Sequence, residues 1–97
     1  MTNQLLVVDP STRLDIIKGL ASEVRISILR LLGTEGPRNV NQIADELGLP
    51  QSTVSSNLQV LEDVGLVITK SQKAKKGSQK ICESVFSEIL VAFESRR

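Results

Sequence analysis

The sequence predicts an α+β fold, mainly α, with about four helices followed by a β-hairpin. Three observations predict it. Between residues 12 and 64, apolar residues recur at helical spacing in four stretches separated by capping residues, glycine or proline. A tight turn, Gly48-Leu49-Pro50, joins the third stretch to the fourth. After Gly65 the pattern changes to a β-branched apolar run, Leu66 to Thr69, then a lysine-rich segment containing Gly77 and a second extended run. Helix, turn, helix and hairpin in that order form the pattern of a winged helix-turn-helix.

Each element has its own signals. Gln4–Val8 is a short apolar run that reads as a brief strand. Asp9 or Ser11 caps the next helix, and Pro10 suits its first turn, where a missing N–H costs nothing. The first helix runs from about Thr12 to Leu20, with Leu14, Ile17 and Leu20 on one face and Ile16 widening it. Ser22 caps the second helix. There Val24, Ile28, Leu31 and Leu32 fall at helical spacing, and Ile26 and Leu29 make the helix apolar nearly all round. Such a helix is central or sits at a subunit interface, and core packing is the favoured reading. Gly33 ends it, and Thr34 to Asn39 is a turn.

The third helix is short, about Gln42 to Leu47, with Asn41 as its cap. Ile43 and Leu47 point inward, Ala44 permits close approach of a neighbour, and Gly48 supplies a left-handed exit. Pro50 starts a fourth helix over Gln51 to Val64. Val54, Leu58 and Leu61 are spaced i, i+4, i+7 and form its buried seam. Ser52, Ser55, Ser56 and Gln59 occupy the opposite face, which is short-chained, hydrogen-bonding and uncharged. Leu66 to Thr69 begins the hairpin, Lys73 to Ser78 is its tip, and Gln79 to Ser84 returns. The segment 85–94 fits two periods. Ile81, Val85, Ile89, Leu90 and Phe93 fit a helical face, while Val85, Ile89, Val91 and Phe93 fit one face of a strand against Ser84, Glu88 and Glu94. Its β-branched and aromatic content inclines it to a strand over Ile89–Phe93.

Ninety-seven residues make one domain with a modest core. With two Phe, no Trp and no Tyr, that core must be built from Leu, Ile and Val. The same scarcity argues against recognition of single strands by base stacking. Net charge is only +1, but its distribution is uneven. From Leu66 to Lys80 there are five lysines and no acid, so this window carries +5 against −4 for the rest. Segregated positive charge is the footprint of phosphate contact. One cysteine and no histidine exclude an internal disulfide and the usual zinc sites. No apolar run reaches the length of a membrane span, and the N-terminus lacks the features of a signal peptide. A cytoplasmic, non-enzymatic protein without cofactor or metal is expected. The chain ends in Arg96-Arg97 soon after an apolar segment, which fits the N-terminal piece of a longer regulator.

Two blocks carry a resemblance: Leu20-Ala-Ser-Glu-Val-Arg-Ile-Ser-Ile-Leu-Arg-Leu-Leu32 and Gln51-Ser-Thr-Val-Ser-Ser-Asn-Leu-Gln-Val-Leu61. With Gly65-Leu-Val after them, the chain from Leu14 to Lys80 resembles the ArsR-type winged helix-turn-helix repressors. The resemblance implies DNA binding, transcriptional regulation (repression above all) and a homodimer. Two positions depart from it. Where many members carry a basic pair in the recognition helix, this chain has Ser56-Asn57. Where metal-sensing members place ligands, it offers no histidine and only Cys82 in the hairpin.

The candidate site follows. Residues near the N-terminus of a recognition helix project into the major groove. Gln51 is placed for bidentate contact with adenine, and Ser52, Thr53, Ser55, Ser56 and Gln59 for bases or phosphates. Lys70, Lys73, Lys75, Lys76 and Lys80 are candidates for phosphates or the adjacent minor groove, and Arg38 is a second backbone candidate. A module that binds a protein partner is the alternative. It would show an apolar or mixed-charge face on the fourth helix.

Overall fold

The computed structural model describes residues 3–93. Strand β1 (Gln4–Val8) leads through a 3-10 turn (Pro10–Arg13) into helix α1 (Leu14–Leu20), followed by α2 (Glu23–Glu35). A two-residue strand β2 (Arg38–Asn39) precedes α3 (Val40–Leu47) and α4 (Gln51–Asp63). The chain continues as β3 (Val67–Ala74), β4 (Gly77–Ser84) and β5 (Glu88–Ala92). The four helices and the hairpin are those the sequence predicts.

The strands form two separate sheets. β3 and β4 pair antiparallel, with Thr69 opposite Cys82 and Lys73 opposite Ser78, and β2 adds to the other edge of β4. β1 and β5 pair parallel in a two-stranded sheet, Leu6 opposite Leu90. The segment whose periodicity fits both helix and strand is therefore a strand, displaced by one residue from Ile89–Phe93. Backbone pairing with β1, 84 residues distant at Gln4 and Glu88, decides what local pattern leaves open. Glu94 and the terminal Arg96-Arg97 lie outside the described residues.

Ile28 and Leu32 of α2, Ile43 and Ala44 of α3, and Val54, Leu58 and Leu61 of α4 form one buried cluster with Ile16, Leu66, Val67 and Cys82. The i, i+4, i+7 seam of α4 is thus buried as read, and α2 is a core helix. Ile26 on its outer side remains exposed. Beside it, α2 and residues 84–89 enclose an open apolar cleft of about 450 Å³, lined by Leu20, Ile26, Leu29, Phe86 and Ile89. No sequence pattern pointed to it.

Several boundaries differ from expectation. α2 does not stop at Gly33 but continues two residues to Glu35, with Gly36 (φ 89) as its cap. The turn expected over Thr34–Asn39 is shorter, because Arg38 and Asn39 pair with Cys82 and Ile81. α3 is capped by Asn39, not Asn41. The Asn39 side chain accepts from the Gln42 N–H at 2.8 Å, and the Gln42 side chain accepts from the Asn39 N–H at 2.9 Å. This reciprocal capping box satisfies two otherwise orphaned donors, which a cap at Asn41 would not do. The Ser22 cap is as read, its side chain accepting from the Arg25 N–H, whereas Asp9 caps the 3-10 turn by accepting from the Ser11 N–H, and α1 begins at Leu14, not Thr12, with no side-chain cap.

The hairpin is longer than expected and stands out from the body. Its turn is only Lys75-Lys76, and the molecule measures 56 × 26 × 20 Å. Neither lysine has positive φ; Gly77 takes it (φ 89). A type I turn followed by a left-handed residue is a common solution for a hairpin, and glycine adopts it without a Cβ clash.

Candidate nucleic-acid interface

The site begins at the exit of α3. Gly48 adopts φ 67 and ψ 38, and its N–H bonds back to the Ala44 and Asp45 carbonyls. This left-handed residue reverses the chain within three residues, so that Pro50 can open α4. Pro50 caps α4 without a side-chain hydrogen bond. The first N–H groups of α4 therefore face outward unoccupied by a side chain, at the positive end of the helix dipole.

Gln51, Ser52 and Ser55 are exposed on the outer face of α4, and their side chains make no hydrogen bond with another described residue. These three have their donors and acceptors to spare. Ser56 and Gln59 are also exposed but engaged within the helix. The Ser56 hydroxyl donates to the Thr53 carbonyl at 3.1 Å, and the Gln59 amide to Asp63 at 2.9 Å. Thr53 is half-buried.

Asn57, one of the two recognition-helix positions noted as departing from the resemblance, turns inward. Its Oδ1 accepts from Arg25 Nη1 at 2.8 Å, and its Nδ2 donates to the Thr53 carbonyl at 2.8 Å. Arg25 was not among the candidate residues. Its sequence signals are its place in the first block that carries the resemblance and the polar position it marks in α2, and neither links it to a partner 32 positions away.

The hairpin joins this face through Thr69, whose hydroxyl donates to the Glu62 carboxylate at the end of α4. Side chains alternate along a strand. Residues sharing Thr69's face are Ser71 and Lys73 on β3, with Cys82, Lys80 and Ser78 opposite them. Lys80 also lines a small cleft with Ser55, Gln59 and Cys82, beside the outer face of α4. Lys75 and Lys76 form the tip. Lys70 lies on the reverse face, where it pairs with Glu83 at 3.3 Å. Arg38 is likewise occupied: it pairs with Glu46 at 3.0 Å and donates to the Glu35 and Pro37 carbonyls at 2.9 Å. It braces α2 against α3.

Cys82 is 2% exposed, packed among apolar side chains. Burial pushes its thiol above the usual range. Among the described residues no group of three or more Cys, His, Asp or Glu is arranged to hold a metal. No helix there is long and apolar enough to cross a membrane.

A short helix, a glycine turn, a polar-faced helix and a basic hairpin docked to its end define a winged helix-turn-helix, the class of fold on which DNA-binding transcriptional regulators are built. The chain belongs to the helix-turn-helix domain family, whose model matches residues 20–69. It is 36% identical over 58 residues to an uncharacterised helix-turn-helix-type transcriptional regulator of Methanocaldococcus jannaschii, MJ1325. That match covers 60% of this chain and 65% of the relative, so the chain spans just under two thirds of the relative's length. Among solved structures it is similar to the homodimeric winged helix-turn-helix DNA-binding domain Mb0332 from Mycobacterium bovis, a possible ArsR-family regulator. There the TM-score is 0.66 at 31% identity, over 76% of this chain and 64% of that one. It is also similar to reduced HlyU from Vibrio cholerae, with a TM-score of 0.64 at 27% identity over 76% and 73% of the two chains.

Proposed function

We propose that the chain is a transcriptional regulator that reads duplex DNA sequence-specifically through α4, represses transcription, and works in the cytoplasm without catalysing a reaction. One observation carries this reading. On the exposed face of α4, Gln51, Ser52 and Ser55 are uncharged hydrogen-bonding groups with no partner among the described residues, and a lysine-bearing hairpin continues that face. Uncharged donor-acceptor groups discriminate base edges, and lysines neutralise phosphates.

In this reading α4 lies in the major groove. Gln51 takes adenine N6 and N7, Ser52 and Ser55 reach neighbouring bases, and the Thr53 methyl meets a thymine methyl. Ser56 and Gln59 reach DNA only by exchanging their present hydrogen bonds. Lys73, Lys75, Lys76 and Lys80 take the backbone or the adjacent minor groove. Lys70 and Arg38 contribute least, being held by carboxylates.

One monomer makes a small footprint, and a two-fold dimer on half-sites about one helical turn apart gives tight binding. The homodimeric M. bovis neighbour supports that assembly, and so do Leu6 and Leu90, paired in register and half-exposed on the terminal sheet. A parallel sheet is ordinarily covered on both faces. A protein-binding module would instead expose apolar or mixed-charge residues on α4.

The test is fluorescence anisotropy against labelled duplex from the gene's own upstream region and a scrambled duplex, across a salt series. Tighter binding to the native duplex, weakening with salt, is expected. No binding to either at low salt, with the protein folded, rejects the reading.

A further inference from the structure

A helix that reads base edges must be held to within about 0.5 Å and 10–20° of its working geometry. The seam Val54, Leu58 and Leu61 holds α4 at the right depth, but apolar contact is non-directional and tolerates small rotations. A polar contact crossing from α2 has the direction the seam lacks. We propose that Arg25 is a positioning residue for DNA recognition, acting through Asn57 to set the rotation of α4 about its axis. This rests on the reading of α4 as the DNA-contacting helix.

The geometry is over-determined. Arg25 Nε donates to the Gly19 carbonyl at 2.6 Å and Nη2 to the Lys18 carbonyl at 3.3 Å. Both acceptors lie at the C-terminus of α1, where the Lys18 carbonyl also accepts from the capping Ala21 N–H at 3.1 Å. With two of its nitrogens tied to α1, the planar guanidinium has one orientation. Nη1 then meets Asn57 Oδ1 at 2.8 Å. The Asn57 amide is fixed at both ends, because its Nδ2 is bonded to the Thr53 carbonyl one turn earlier. Thr53 is flanked by Ser52 and Val54, so the contact acts on the turn that presents Gln51, Ser52 and Ser55.

No carboxylate pairs with Arg25 among the described residues. Its acceptors are neutral oxygens from α1 and α4, and the contact is therefore one of shape and direction more than of charge neutralisation. A lysine could reach one of these oxygens but has no planar fork to engage three. Arg25 itself is half-buried, and each of its three guanidinium nitrogens gives one N–H to the protein.

The test compares the wild-type chain with Arg25→Met, Asn57→Leu, the double variant and Arg25→Lys. The probes are a duplex enriched from a random pool by the wild-type chain and a scrambled duplex of equal length. The readout is the ratio of the two affinities, with thermal melts recording the folded fraction. Each single variant is expected to lower the specificity ratio on the order of tenfold, the scale of one hydrogen bond to a charged group. The double variant falls no further, because both substitutions break the same contact. Arg25→Lys does not restore the ratio. Affinity for the scrambled duplex and its salt slope stay at wild-type values, because the lysines are untouched.

A merely structural role would lower both affinities together as the folded fraction falls, and that result overturns the proposal. A wild-type ratio in Asn57→Leu, or additive losses in the double variant, also overturns it. If Arg25→Met fails to fold, Asn57→Leu at its half-exposed position decides the matter. If the wild-type chain enriches no sequence, the DNA reading itself fails and this proposal falls with it.

Discussion

Lys70 and Glu83 form an ion pair, Nζ to Oε1 at 3.3 Å, on the face of the hairpin turned away from α4. The five lysines of residues 66–80 are alike in the sequence but not in space. Alternation puts Lys73 and Lys80 on the α4 side and Lys70 behind, while Lys75 and Lys76 share the tip. Each phosphate contact contributes about 0.9 to the slope of log affinity against log salt. Lys70→Ala is expected to leave that slope unchanged, and Lys75→Ala with Lys76→Ala to reduce it by about two. Equal effects from Lys70 and the tip lysines would show that both faces of the hairpin meet DNA.

Gln51→Ala should act on sequence and not on charge. A bidentate contact to adenine discriminates by about 1–3 kcal/mol against a wrong base. The variant is expected to bind the enriched duplex more weakly by that amount, to become indifferent at one base position, and to keep its salt slope. Ser52→Ala and Ser55→Ala should cost less. Competition binding with single-base variants of the duplex reads this out.

The cap of α3 can be tested independently of DNA. Asn39→Ala removes an acceptor and half of a capping box, and about 1 kcal/mol of stability is expected to go with it in urea unfolding. Asn41→Ala, at an exposed position inside the helix, should lie within about 0.5 kcal/mol of wild type.

At Gly48 an added Cβ would meet nothing within 4 Å, so crowding does not enter. The backbone is left-handed, and an L-residue there costs about 1–2 kcal/mol. Gly48→Ala should lower stability by that amount and, by straining the turn that aims α4, weaken DNA binding more than Asn39→Ala does.

Cys82 gives a pH dependence of definite sign. Its thiol is raised in the folded protein because burial disfavours the thiolate. The unfolded chain then loses its proton first, at the ordinary thiol value of about 8.5. The contribution to stability is full below that pH and is lost as pH rises through the folded value. Urea midpoints should fall above about pH 8.5, and less so in Cys82→Ala or Cys82→Val. For the same reason, alkylation by iodoacetamide at pH 7 should be slow in the native protein and fast in urea.

Much of this molecule was legible in the chain itself. The helical spacing of Val54, Leu58 and Leu61, the Ser22 cap, Gly48 before Pro50, and Gly77 in the hairpin are local signals with local causes. They were enough for the four helices, the turn and the hairpin. Local chemistry could not fix the rest. Asn39 with Gln42 three residues on is itself a local capping signal, but β2 pairing, which holds Asn39 extended against Ile81, decides between it and Asn41. Gly33 did not end α2: with Leu32 buried in the core, the helix runs two residues past a weak breaker.

What the sequence determined by itself is the order of elements and the chemical character of each face: a polar, uncharged α4 and a cationic hairpin. What only the tertiary structure decided is which of those groups are free to act. Residues far apart in the chain compete for the same side chains. Glu83 takes Lys70, Glu46 takes Arg38, and Arg25 takes Asn57, while Gln51, Ser52 and Ser55 keep their hydrogen-bonding capacity. Hydrogen bonds and ion pairs depend on distances of about 3 Å. Such distances between residues 8 to 32 positions apart exist only once the core has set the helices and sheet in place.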